Sequence, residues 1–357
     1  MSQSQIQKLN EYLIQQTQKP IGELASGEPD WDNALYFFVS DPDPARELGL
    51  FCGFEVFPNR GIQRATYHLR YRGEQHRAMS VTPLGGEIGP VLESGFFRFE
   101  CLDPMARWRI EIDDAEEGVA VSLEFAARCP AYAHRHVRLP GAYAGAIDQR
   151  HYNQSGRLRG ELRVGGETSR ELIGMKNRSW GVRNWHLLPM YHWTTAQFDD
   201  FSVNTWLFED QEGNPLFVDG AVTTEKGEVT PVVAVEHELE LYAGSAKRVR
   251  ARHVRITTAR GEVLQLEGQE IGSIPLAPLP DHFSESNPEQ MAAAQTAALW
   301  FEQHTSFRLG DQRGIGFVEH CVAPGCRKHG IAPTPFPYLD PAAPRAGQAP
   351  PLSQRAG

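Results

Sequence analysis

The stretch RWRIEIDDAEEGVAVSLEFAAR, residues 107–128, decides the fold class. Trp108, Ile110 and Ile112 alternate with Arg109, Glu111 and Asp113, and Val121, Leu123 and Phe125 repeat the pattern. A period of two puts every second side chain on one face, as in a half-buried strand. The alternation extends outward through YHLRYRGE (67–74), FFRFECL (96–102), LRGELRVGG (158–166), ELELYAG (238–244) and HVRITTARGEVLQLEG (253–268). Turn signals fall between such runs at Gly165-Gly166, from Asp210 to Asn214 and at Lys226-Gly227. Repeated hairpins with few helical stretches predict a mainly β protein of antiparallel barrels or sandwiches with a few peripheral helices.

At 357 residues the chain exceeds the usual size of one core, so two domains are expected. Pro140, Gly141 and Gly145 interrupt the strand pattern and predict a boundary there, giving domains over 1–145 and 146–331. The remaining residues, 332–357, are rich in Pro, Ala and Gly and read as a loose tail. Ile6, Leu9, Leu13 and Ile14 have helical spacing, and NPEQMAAAQTAALWFEQH, starting near Asn287, reads as a second helix.

The 41% apolar content supports large cores, and a net charge of −10 argues against nucleic acid or an anionic membrane surface as a partner. A small hydrophobic molecule suits the chain better. No apolar run reaches the length of a membrane span and no secretory signal is visible, so a cytoplasmic location is expected, with the oligomeric state open and a monomer plausible. Five scattered cysteines read as reduced thiols, and Cys321 and Cys326 near His320 and His329 match no standard zinc spacing, so no metal is expected.

The densest aromatic and polar segment is GMKNRSWGVRNWHLLPMYHWTTAQFDDFSVNTWLFED, residues 174–210, which holds four of the seven tryptophans. Aromatic rings with a few polar groups suit an apolar ligand pocket, although arginines stacked on a core of indoles would produce the same composition. The candidate substrate-binding residues are Tyr36, Asn153, Asn177, Arg178, Trp180, Arg183, Trp185, Trp193 and Trp206. Asp219, inside the apolar run PLFVDGAV, is a candidate acid whose pKa burial would raise unless it is paired; the alternative is a turn Asp before Gly220. His192 and Tyr191 are further candidates for moving a proton. The HRHVR run at His134 reads as a solvated face, and Asp199-Asp200 as a hairpin turn.

The run from Gly174 to Trp185, preceded by HYNQSGRLRGELRVGG, resembles a signature of a bacterial two-domain lipocalin-like family related to carotenoid 1,2-hydratases. In that family a Gly-x-x-Asp-His/Arg-Ser-Trp-Gly-x-Arg-x-Trp pattern follows a His-Tyr-Glu-Gln strand. WDNALYFFVSDP (31–42) with GFEVFPNRG (53–61) is similar to its first strands, and GIGFVEH (314–320) to its last. The resemblance implies two lipocalin-like barrels and a hydratase lineage. Where the pattern carries acids, this chain has Asn33, Asn153, Asn177 and Asn184, and amides cannot exchange a proton usefully near neutral pH.

No Gly-x-Ser-x-Gly elbow, phosphate-binding Gly-Lys-Ser/Thr loop or His-Glu-x-x-His helix is present in the sequence. Two functions are therefore expected as alternatives. The first is a cofactor-independent hydro-lyase, a carbon–oxygen lyase that hydrates an isoprenoid-like alkene or dehydrates a tertiary allylic alcohol. The second is a lipocalin-like carrier that binds a hydrophobic ligand without turning it over. The site is expected between the two barrels, because domain interfaces favour ligands.

Overall fold

The computed structural model describes residues 11, 31–84, 89–183, 190–242, 248–275, 299–322 and 328. Strands account for most of them. The first unit contains β1 (Trp31–Ser40), β2 (Gly49–Phe57), β3 (Ile62–Tyr71), β4 (Glu74–Pro83), β5 (Val91–Ser94), β6 (Phe97–Asp103), β7 (Arg107–Asp114) and β8 (Val119–Ala127). It continues with the short β9 (Tyr132–Ala133) and β10 (Val137–Arg138) and the long β11 (Ile147–Val164) and β12 (Glu167–Arg183). The second unit contains β13 (Met190–Gln197), β14 (Phe201–Glu209), β15 (Pro215–Thr224), β16 (Val229–Leu241), β17 (Val249–Thr258), β18 (Val263–Pro275), β19 (Leu299–Leu309) and β20 (Gln312–Val322).

The first unit is a sheet in the order β4-β3-β2-β1-β12-β11-β8-β7-β6-β5, with β9 and β10 paired to β11. Its two edges curl toward each other until Ser80 Oγ and Ser94 Oγ lie 2.9 Å apart. The alternating residues Leu35, Phe37 and Val39 of β1, Cys52 and Phe54 of β2, and Trp108, Ile110 and Phe125 of the opening stretch fill its interior. The second unit is a closed eight-stranded barrel, β13 to β20, in which β13 pairs with both β14 and β20. The result is a mainly antiparallel, two-domain lipocalin-like β fold.

Two sequence expectations change. β11 and β12 pair with each other over their length and with β8 and β1, so both belong to the first sheet. The chain therefore passes from one sheet to the other between Arg183 and Met190, not at 145/146; Gly141–Tyr143 is only a 3-10 turn before β11. Leu299 to His304, read as the end of a helix, form the start of β19, because ladders to β18 and β20 on either side outweigh local helix propensity. The rest of that segment, the first helix apart from Glu11, and the tail after Ile331 lie outside the described residues. The Gly165-Gly166 turn is as expected, with φ of 57° and 78°. No helix among the described residues is long and apolar enough to cross a membrane.

Candidate functional site

The strand alternation gives the barrel two faces. Ala196, Val203, Val254, Ile256, Phe307 and Val318 point into the barrel. The intervening residues of β13, β14, β15 and β20 point out and pack on the convex side of the first sheet. Tyr191, Trp193, Trp206, Phe208 and Phe317 meet Phe38, Phe51 and Met175 in one apolar cluster. Phe38 lies over Trp193 with ring centroids 4.7 Å apart. Arg128 fastens the edge of this contact, donating to the carbonyls of Phe198, Asp199 and Phe201 at 2.8–2.9 Å and to Gln197 Oε1 at 3.1 Å. The face between the two units is thus a second, mixed core, and it carries two polar clusters.

The first cluster centres on Asn153 of β11. The Trp193 indole N–H can only donate, so the Asn153 atom 3.1 Å from it is the carbonyl oxygen. His134 Nε2 at 3.0 Å, His151 Nε2 at 3.2 Å and Asn204 Nδ2 at 3.0 Å also lie within hydrogen-bonding distance of that oxygen, while the Asn153 amide nitrogen faces the Tyr152 carbonyl and Asn177. The two imidazoles lie 4.0 Å apart, and Trp206 packs 4.3 Å from His151 and 5.6 Å from His134. Burial holds both histidines neutral: it pushes His134 down to about 4, against the pull of Asp219, and His151 well below its ordinary value. Asp219 of β15 accepts from Tyr132 Oη at 2.7 Å, from the Arg135 backbone N–H at 2.5 Å and from the Gly220 N–H at 2.8 Å. It thereby ties the 132–135 segment to the barrel, with His134 Nδ1 3.9 Å away.

The second cluster is carboxylic. Glu319 of β20 and Glu302 of β19 are register partners, and Tyr191 Oη donates to Glu319 Oε1. Burial, then the neighbouring Glu319 charge, raises Glu302 well above the carboxylate range, so Glu302 holds a proton at neutral pH. Across the face, Arg183 donates to Asp32 Oδ2 at 2.6 Å and Arg64 pairs with Glu55 beside Tyr36. Burial pushes Asp32 up to about 6, opposed by Arg183 and reinforced by Glu55. Tyr36 stacks on Phe51 at 4.8 Å.

Of the residues singled out in the sequence, Tyr36, Asn153, Asn177, Arg183, Tyr191, Trp193, Trp206 and Asp219 come together on this face. Arg178 and Trp180 do not, because β12 alternates. Trp180 packs against Tyr152 and Trp31 on the other side of the sheet, and Arg178 donates to Asn33 Oδ1 at 2.7 Å there. His192 points into the barrel, 4.6 Å from His237 and 5.9 Å from His320. Asp219 sits inside a strand rather than in a turn. Trp185 lies outside the described residues. His134, read as solvated, is buried, because β9 and β10 lay the HRHVR run against β11. Glu302, Glu319, His151, His304, Asp32 and Glu55 were missed. A charged or imidazole residue at every second position of a strand looks solvent-facing until a second sheet covers it.

Residues 22–323 match the model of a family described as a domain of unknown function, DUF7064. The chain belongs to this family. No curated protein matches the sequence. Solved structures resemble the DUF7064 chain at low identity. A Nitrosomonas europaea protein provisionally assigned as ATTH aligns with a TM-score of 0.56 and 14% identity over 86% of this chain and 98% of its own. Kievitone hydratase from Nectria haematococca aligns at 0.54 and 12%, over 84% and 93%. CghA with Sch210972 aligns at 0.51 and 12%, over 83% and 89%. At such identities the likeness is one of fold.

Proposed function

We propose that this protein is a cofactor-independent hydro-lyase that interconverts an isoprenoid-like alkene and a tertiary allylic alcohol on the face between the two units. The observation that carries the reading is the Glu302 and Glu319 pair with the Tyr191 hydroxyl on Glu319. Burial beside a second carboxyl keeps the proton on Glu302, which suits it to act as the acid, with the half-buried Glu319 next to it as the base. In the dehydration direction Glu302 donates its proton to the departing hydroxyl, which leaves as water. Glu319 removes a proton from the adjacent carbon, and transfer from Glu319 to Glu302 restores the pair. The cationic carbon formed between these steps is stabilised by the indole faces of Trp193 and Trp206. Asp219 has a positioning role in this scheme: its oxygens are taken by three donors, and it holds the segment bearing His134. The name of kievitone hydratase supports the reaction class through a shared fold.

Incubation with a panel of tertiary alkenols and the matching alkenes, followed by gas chromatography in both directions, tests the proposal. Enzyme-dependent alkene or alkenol formation is expected; failure of the whole panel overturns it. The amides at Asn153 and Asn177, where the related pattern has acids, favour the carrier reading. Stoichiometric binding of a panel member without turnover would establish that reading instead.

A further inference from the structure

The inside of the second barrel changes character along its length. Beside the short turns at 198–200 and 310–311 it is apolar, with Phe198, Val203, Ile256, Phe307 and Val318. Farther along the same strands the inward positions become Arg252, Gln303, His237, His192 and His320. Arg252 follows from β17 alternation: Val254 and Ile256 face in, whereas His253 and Arg255 are exposed. Arg252 is 2% exposed and lies beside Gly268 of β18, where a Cβ would approach its Cγ to 2.8 Å, so the missing side chain makes its room.

We infer that this polar end of the barrel binds a small organic monocarboxylate on Arg252, at a site separate from the face between the two units. Arg252 Nη2 donates to Gln303 Oε1, but its Nε and Nη1 have no partner among the described residues. Gln303 cannot turn to help, since its amide nitrogen donates to the Val249 carbonyl at 2.9 Å and to Ser273 Oγ at 2.7 Å. The nearby carboxylates are already matched. Glu270 accepts from Arg248 at 2.6 Å, Tyr242 at 2.7 Å and Ser273 at 2.8 Å, and Glu209 from His237 at 2.6 Å and Lys328 at 2.7 Å. Among the described residues at this end of the barrel, Arg252 is left with unused donors. Burial depresses Arg252 to about 9, partly offset by Glu270, so it stays cationic at neutral pH. A buried unpaired cation is costly unless an anion completes it, and a single carboxylate matches both the surplus charge and the open N–H groups.

Isothermal titration of the purified chain with acetate, benzoate and octanoate, and with benzyl alcohol as the neutral control, tests the inference. At least one carboxylate should bind once per chain, with benzyl alcohol at least tenfold weaker than benzoate. Arg252→Met should fold, since it removes an unpaired buried charge, and should lose carboxylate binding at least tenfold. Arg252→Lys, which keeps the charge with fewer donors, provides a second reading should the Met variant not fold, and should bind more weakly than wild type. Binding should persist in Glu302→Gln, which separates this site from the other. Absence of carboxylate binding to wild type, or equal binding by an Arg252 variant, would overturn it.

Discussion

Glu302 and Glu319 have different roles in the proposed reaction, and isosteric amides separate them. In Glu302→Gln an amide replaces a group already neutral in the fold, so the melting temperature should barely move. Turnover of the responsive alkenol should still drop by roughly a hundredfold to ten-thousandfold, the range for a lost general acid. Glu319→Gln should lose a similar factor and also disturb Tyr191, whose hydroxyl it accepts. Initial rates set against melting temperature check both, and near-normal rates in a folded Glu302→Gln would remove the pair from the mechanism. Asp219→Asn is expected to do the reverse. Its new NH2 would face the Tyr132 hydroxyl, the Arg135 N–H or the Gly220 N–H, costing about 1–3 kcal/mol of stability. A stability loss with turnover reduced less than in Glu302→Gln would fit a positioning residue; an intact fold with turnover abolished would make Asp219 the acid.

At the scale of elements, alternation was readable almost everywhere, because a strand's own residues carry its period. The opening stretch forms β7 and β8, Asp199-Asp200 turns between β13 and β14, and the Gly pair closes the β11–β12 hairpin. What a single strand does not carry is the identity of its neighbours. The expected boundary placed β11 and β12 in the second domain, and Leu299 to His304 are strand rather than the expected helix end, because both depend on pairing with distant strands. Gly220 offers a test of how tightly such a pairing positions the site. Its φ is +149°, and a Cβ would stand 2.1 Å from the Asn204 carbonyl oxygen of β14. Gly220→Ala should cost at least about 1–3 kcal/mol from backbone strain alone, measured by denaturant unfolding, and should weaken the Asp219 anchor beside it. An unchanged midpoint would show that β14 and β15 can slide apart without cost.

For the molecule as a whole, four histidines on the face between the sheets, His68, His134, His151 and His304, set the acid response. Burial pushes His68 and His304 down to about 3 and His134 to about 4, and His151 well below its ordinary value. Each is neutral in the fold and takes up its proton on unfolding as the pH drops below about 6.5. The unfolded chain therefore binds more protons, and the stability these groups contribute, complete above pH 6.5, is lost as pH falls toward 4. Asp32, raised to about 6, acts oppositely between about 4 and 6, since its folded form holds the proton more tightly. Glu302, raised well above the carboxylate range, acts in the same direction as Asp32, and four imidazoles against these two carboxyls still leave a net loss on acidification, at up to about 1.4 kcal/mol per pH unit for each histidine. Unfolding free energies from pH 7 to 4 should fall, and His304→Gln should flatten the slope; a stability constant over that range would contradict the assignment.

The sequence by itself determined the mainly β class, the hairpins and the aromatic segment from Gly174 to Asp210, because these follow from local periodicity, turn residues and composition. It also contained Tyr36, Asn153, Asn177, Arg183, Tyr191, Trp193, Trp206 and Asp219 as candidates. Only the tertiary structure decided which of them meet. Alternation sends Arg178, Trp180 and His192 to other faces, and closure of the barrel brings Glu302 and Glu319, distant from the aromatic segment in the chain, beside Tyr191. A strand position is polar for solvent or for a partner, and only the packing of a second sheet over that face distinguishes the two.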